Sequence, residues 1–387
     1  MMSKQAAAFT TPPESFIHPP LTPPASEAKA LSSHRVSGIL AHLRLRRSGQ
    51  LIKYKPWSVF QLAPGEYDQL ITLFKASESL WTFWEHNVRF DYFSRSNRFI
   101  LRMPTSTHEF FLSTVVLEIQ AQLQRIAAGT GAAAAFARDV GYRGSPRLVF
   151  PVDETTEEDA ADEDAADRDN NDANTSPKYD SHEPDAAFTH LDAQWPGVVI
   201  EVSYSQKKKD LQYLAEDYIL GSNGNINAVV GIDIEYKHSK KATLSIWQPQ
   251  YEHDDHGQEV LVSVQTVDEE FRDALGNCAA GPSTGLKLKL KNFGPDTMLE
   301  NADAEEMSQL VSIPSSMLYE FMLRVERDAS KTKDRKGKMV DLKPGARKRR
   351  RPRTPPEELK SDHERSFLEQ EARDAKRSAK CDDDYEE

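Results

Sequence analysis

An α/β architecture, with helices flanking a mixed sheet, is what this chain predicts, and three observations lead there. Short apolar runs rich in β-branched residues recur through the middle of the sequence. Two longer stretches carry apolar residues at helical spacing. The two kinds succeed one another as strand, strand, helix, strand, strand behind a preceding helix, an order that buries both faces of a sheet.

Taken in order, residues 1–32 hold Thr11-Pro12-Pro13 and Thr22-Pro23-Pro24 among small and polar residues. Such a segment has too little apolar surface to offset its chain entropy, so a disordered N-terminus is expected. Order is expected from residue 33, where Ile39, Leu40, Leu43 and Leu45 suggest a short helix. Pro64-Gly65-Glu66 opens a second helix with Tyr67, Leu70, Ile71 and Phe74 on one face. Trp81, Phe83 and Trp84 read as core, and Val88–Phe93 with Arg98–Met103 as a hairpin. Thr107 is a plausible N-cap for a long helix to Ala127, and Gly129–Ala135 reads as a small-residue linker. Strands are expected at Arg147–Phe150, Val198–Ser203, Ile226–Tyr236 and Thr243–Trp247. Between 205 and 221, Leu211, Leu214, Ala215, Tyr218 and Ile219 follow helical spacing, and Gly221-Ser222-Asn223-Gly224 ends that helix. Two short strands, Val260–Val264 and Leu286–Leu290, and a helix over Ser315–Asp328 complete a domain spanning 33–328.

Composition bounds the rest. The 387 residues carry a formal charge of −12, but ten acidic residues and one base fall between Glu154 and Asp172. That run supplies most of the charge, so nucleic acid remains an admissible partner. It reads as a solvated insertion over 154–181 between two core strands. The two cysteines, Cys278 and Cys381, offer neither a disulfide framework nor a zinc site. No stretch approaches the length of a membrane helix, and no apolar signal core opens the chain, so a soluble intracellular protein is expected.

Glu201 is the most informative residue. It stands in the apolar run Val198-Val199-Ile200-Glu201-Val202-Ser203, where Val199, Glu201 and Ser203 share one face. A carboxylate in such a strand is costly to bury unless paired, hydrogen-bonded or metal-bound. Asp185, in Pro184-Asp185-Ala186-Ala187-Phe188, lies on a neighbouring segment and can converge with it to make an oxygen-rich site for Mg²⁺. The plainer alternative is an edge-exposed Glu and an Asp in a turn.

Pro184-Asp185, then Glu201-Val202-Ser203-Tyr204-Ser205, then a helix with Tyr218 resembles the core of the PD-(D/E)XK nuclease-like superfamily. Within it the pattern is similar to PD-(D/E)XK-like proteins of fungi and a bacterial restriction-endonuclease-like family. Met103–Glu109 also resembles the segment opening the first core helix of those bacterial relatives. The resemblance covers roughly residues 55–250 and implies a restriction-endonuclease-like sandwich. It further implies a Mg²⁺ held by Asp185, Glu201 and the Val202 carbonyl, and phosphodiester hydrolysis on DNA. In that reading His108 or Glu109 supports the metal through water, and Tyr218 packs with its hydroxyl near the site. The lysine usual in the superfamily is Ser203 here, and in the alternative Asp-x-x-x-Lys-x-x-x-Tyr position Leu214 stands between Asp210 and Tyr218. Lys207, Lys208 and Lys209 can supply an ammonium group, or form a solvated helix turn, and Gln206 can supply a hydrogen bond. The missing lysine leaves a second reading open, that of a catalytically inactive nuclease-fold protein serving as a nucleic-acid or protein interaction module.

Beyond Ser330 apolar periodicity is lost, and 329–387 is expected as a disordered charged tail. Arg347, Lys348, Arg349, Arg350, Arg351 and Arg353 form a dense basic cluster, readable as a nuclear localisation signal for an import receptor or as a phosphate-backbone contact. Nuclear or nucleocytoplasmic residence follows from the first. No P-loop, dinucleotide fingerprint, Gly-x-Ser-x-Gly or His-Glu-x-x-His motif is present.

Overall fold

The computed structural model describes residues 33–48, 57–102, 105–152, 178–204, 208–235, 239–281, 283–295, 298, 303–335 and 342–349. The chain divides into a unit ending at Thr332 and a C-terminal unit beginning at Lys333. The N-terminal Pro/Thr-rich segment 1–32 and the whole acidic run 154–172 lie outside the described residues, as do Arg350, Arg351 and Arg353.

The large unit is mixed α/β, with seven α-helices among the described residues. In chain order these are α1 (His34–Arg47), β1 (Trp57–Gln61), α2 (Glu66–Lys75), α3 (Glu78–Asn87), β2 (Arg89–Phe93), β3 (Arg98–Arg102), α4 (Ser106–Ala127) and α5 (Ala132–Asp139). Next come β4 (Val140–Tyr142), β5 (Leu148–Pro151), β6 (Tyr179–His182), β7 (Ala186–His190), β8 (Val198–Tyr204) and α6 (Lys208–Gly221). The chain continues as β9 (Ala228–Ile234), β10 (Ala242–His253), β11 (Glu259–Arg272), β12 (Gly285–Lys289), β13 (Leu310–Pro314) and α7 (Ser315–Arg335).

A six-stranded mixed sheet runs in the order β11-β10-β9-β8-β7-β4, and β8 with β9 is its parallel pair, joined through α6. That connection is what parallel neighbours require, since only a crossover returns the chain to the same edge. A five-stranded antiparallel sheet runs β1-β3-β2-β6-β5, and β12 pairs with β13. Val198, Ile200 and Val202 of β8 enter a core with Phe111, Val115 and Ile119 of α4 and Leu318 and Met322 of α7. Val199 enters the opposite core with Leu214, Tyr218 and Ile219 of α6 and Phe150 of β5. The period-2 reading of β8 is thus the reason both faces of the sheet are covered. A third core joins α1, α2 and α3 to β2 and β3 around Trp84, Phe74, Phe90 and Phe99.

Two glycines allow close approaches. A Cβ at Gly197, just before β8, would sit 2.3 Å from the Phe293 backbone carbon. Gly231 lies opposite Glu201 in the parallel register, and its missing side chain lets Trp247 and Leu211 pack over the sheet there.

Several boundaries differ from the sequence reading. The cap of α4 is Thr105, not Thr107, and its hydroxyl accepts from the His108 amide. The small-residue stretch is partly the helix α5, because Ala133, Phe136 and Ala137 are buried in one core and alanine is the best helix former. The acidic insertion ends before 181: Tyr179–His182 is β6, held between β2 and β5. The short strand expected at 260–264 is the N-terminal part of a 14-residue strand, Glu259–Arg272. The last helix outruns residue 328 to Arg335, its first half anchored by Leu318, Phe321, Met322 and Val325.

Candidate functional site

The β6–β7 connection, His182-Glu183-Pro184-Asp185, brings Asp185 beside the middle of β8. Asp185 and Glu201 are 4% and 2% exposed, so Glu201 is not the edge-exposed residue of the plainer reading, while Asp185 does stand at a bend, though a buried one. Each carboxylate has its partners. The Val202 amide donates to Asp185 Oδ2 at 2.8 Å, and His108 Nε2 lies 2.9 Å from the same oxygen. Arg89 Nη1 donates to Asp185 Oδ1 at 3.0 Å. On Glu201, Arg102 Nη1 donates to Oε2 at 2.7 Å and the Tyr218 hydroxyl donates to Oε1 at 2.7 Å.

Arg102 ends β3 and reaches across to β8. Its Nε lies 3.0 Å from Asp91 Oδ2, an ion contact, and Nη2 donates a hydrogen bond to Asp91 Oδ1 at 3.2 Å, so two prongs reach that carboxylate. Nη2 also donates to the Glu183 carbonyl, and Nη1 stands 4.0 Å from Asp185 Oδ1. One buried guanidinium therefore serves three carboxylates and a carbonyl. His108 does a parallel service. The Thr105 cap fixes its backbone, and its Nε2 sits between Asp185 Oδ2 and the Val202 carbonyl, 3.1 Å away. Toward the surface, Arg89 Nη2 meets Glu109 at 3.0 Å. Arg147 Nε meets Glu183 at 2.8 Å. His182, fully buried, has Nδ1 3.4 Å from Asp91 and Nε2 3.9 Å from Asp217.

The protonation states follow from these contacts. Burial alone would lower His108, but the Asp185 charge and hydrogen bond, with Glu109, push it up to about 9. Burial would raise Asp185, yet His108, Arg102 and Arg89 together hold it well below the usual carboxylate range. Burial of Arg102 opposes its charge, and Asp91, Glu201 and Asp185 outweigh that, so it stays cationic. Glu201 is raised, by burial first and by the Asp185 and Asp91 charges, against the pull of Arg102 and Tyr218. Burial lifts Asp217 to about 6 despite His182.

Of the residues singled out in the sequence, Asp185, Glu201, Val202, His108, Glu109 and Tyr218 come together here. Ser203 turns its hydroxyl to Asp233 at 2.9 Å. Lys208 and Lys209 open α6, while Gln206 and Lys207 lie outside the described residues. Arg89, Asp91, Arg102, Glu183 and His182 were not singled out. Asp91 carried the same signal as Glu201, a carboxylate inside an apolar strand, and Arg102 the converse one.

For Mg²⁺ the donor set does not fit as it stands. All four carboxylate oxygens of Asp185 and Glu201, and the Val202 carbonyl, face hydrogen-bond donors of this chain. Among the described residues no group of three or more His, Cys, Asp or Glu side chains is arranged to hold a metal ion. No described helix is long and apolar enough to cross a membrane. No protein-family model matches the chain, and no match to it is found among curated proteins.

Proposed function

We propose that this chain is a restriction-endonuclease-like protein of the PD-(D/E)XK type whose acid pair is closed by its own cations, and that it acts as an interaction module rather than as a Mg²⁺-dependent nuclease. The fold reading is supported by Pro184-Asp185 entering β7, Glu201 in mid β8, the β8–α6–β9 crossover and α4 packed beneath. The functional reading rests on Arg102. Its guanidinium, 2.7 Å from Glu201 and 4.0 Å from Asp185, carries its charge at any working pH. A divalent cation between those carboxylates would have to expel it. Expulsion would also take the guanidinium from buried Asp91, leaving it His182 alone, and removing one partner of a buried ion pair costs about 3–5 kcal/mol. With Ser203 in the lysine position, the usual source of the ammonium that hydrolysis would use is missing.

Supercoiled plasmid incubated with the protein in Mn²⁺ tests this. We expect no nicking beyond that of the Asp185→Ala, Glu201→Ala double variant. Nicking by wild type that the double variant lacks would establish Mg²⁺-dependent hydrolysis of DNA instead, with Lys207→Ala, Lys208→Ala and Lys209→Ala together asking whether a migrated lysine takes part.

The same proposal places the protein in the nucleus. Arg347, Lys348 and Arg349 are exposed, and with Arg350, Arg351 and Arg353 they offer an import receptor, or a DNA backbone, a dense row of charge.

A further inference from the structure

We propose that the outer edge of β11 is a docking site for an extended peptide segment with basic flanks, added to the six-stranded sheet as a further strand. β11 is the terminal strand of that sheet, and among the described strands it pairs with β10 alone, apart from a single bridge from Arg272 to Cys278 at its end. β9 covers β10 only as far as Trp247, so residues 248–253 and 259–264 continue as a two-stranded ribbon beyond the rest of the sheet. Among the described residues, no backbone hydrogen bond reaches the outer edge of β11 between 259 and 270; the first is from the Ala279 amide to the Phe271 carbonyl. A row of unpaired amides and carbonyls of this kind is a template for another strand.

Natural edges are usually blunted by lysines, prolines or bulges. Here the register shifts lie at Ile246/Trp247 and Ala242/Thr243, which leaves Glu259-Val260-Leu261-Val262-Ser263-Val264-Gln265 regular. That segment contains no Pro, Gly, Lys or Arg. Val260 is 41% exposed, and Leu261, Val262 and Val264 are only half-buried, so an added strand would cover apolar surface as well as backbone.

Charge selects the occupant. Between Lys241 and Arg272 the hairpin carries Glu252, Asp254, Asp255, Glu259, Asp268, Glu269 and Glu270 and no lysine or arginine. The apolar edge is thus bracketed by an acidic tip and an acidic run. Nucleic acid is repelled by such a surface. A second copy is disfavoured too, because antiparallel self-pairing that overlaps residues 260–267 sets Glu259 against Asp268. What fits is a segment with a β-branched centre and Lys or Arg at both ends. This inference does not depend on whether the acid pair is catalytic, which the plasmid assay reports separately.

The test uses the full chain and three synthetic peptides, read by fluorescence polarisation. One is Lys-Lys-Thr-Val-Thr-Val-Thr-Val-Lys-Lys. The second has glutamates for lysines, and the third has the lysine flanks with alternate backbone amides N-methylated. We expect saturable binding of the first only. Asp255→Lys with Glu259→Lys, at exposed tip positions, should weaken it by about tenfold or more while leaving the thermal melt unchanged. No binding of the lysine peptide, equal binding of the N-methylated one, or indifference to the double variant would overturn the proposal. So would a dimer in light scattering that Val260→Lys dissolves, since the edge would then be occupied by a second copy.

Discussion

Replacing Arg102 by methionine is the sharpest perturbation the fold permits. Methionine keeps much of the stem's volume and removes the charge. Asp91, with a fully buried side chain, then loses both prongs of its pairing, and Glu201 keeps only the Tyr218 hydroxyl. Removing one partner of a buried ion pair typically costs 3–5 kcal/mol, chiefly because the remaining charge stays buried. For a unit of this size, that lowers the melting temperature by roughly 10 °C. Glu201→Gln should cost less, because an amide can still accept from Arg102 and Tyr218. The double variant should be more stable than the two single losses added together, with a coupling of about 1–3 kcal/mol. Urea denaturation of the four proteins measures it. A stability loss under about 1 kcal/mol for Arg102→Met, or simple additivity with Glu201→Gln, would refute the view that this guanidinium neutralises the acid pair.

Further expectations concern other parts of the molecule. His108 titrates near 6.5 when unfolded and near 9 when folded, so its stabilisation is complete below about pH 6.5 and lost as the pH rises through about 9. The shift corresponds to about 3 kcal/mol, and urea unfolding at about pH 6 and about pH 10 should show a drop that His108→Gln flattens. Asp185, held low, contributes stability that is present above the unfolded carboxylate value and fades as the pH falls through its depressed one; Asp185→Asn should remove that acid limb. Gly197→Ala would drive a methyl into the Phe293–Gly294 backbone and should cost about 3 kcal/mol or prevent folding, measured by thermal melt. A fluorescent fusion with Arg347, Lys348, Arg349, Arg350, Arg351 and Arg353 changed to alanine should move from nucleus to cytoplasm; an unchanged distribution removes the import reading.

The parts legible in the sequence are those with a local pattern. The alternation around Glu201 gave β8 and its two faces, and the helical spacing of Leu211, Leu214, Tyr218 and Ile219 gave α6, because burial on one side imposes those periods directly. Where local pattern and packing diverge, reading failed. Gly129–Ala135 looks like a linker because small residues carry no amphipathic stripe, yet Ala133 and Ala137 are in one core with α4. The site divides the same way. Asp185 and Glu201 were found because a carboxylate in an apolar context is conspicuous. Their partners were not, since Arg102 reaches Glu201 across 99 residues of chain and no spacing encodes that. The length of β11 was missed because its hydrophilic end, Asp268-Glu269-Glu270, does not look like a strand.

Manganese binding decides the central claim most directly. Titration calorimetry of Mn²⁺ into the wild-type chain, beside the Asp185→Ala, Glu201→Ala double variant, asks whether the acid pair is open to a cation. The account predicts indistinguishable, non-saturating heats for both, because Arg102, Arg89, His108 and the Tyr218 hydroxyl already face every carboxylate oxygen of the pair. A saturable site in the wild type that vanishes in the double variant would contradict it.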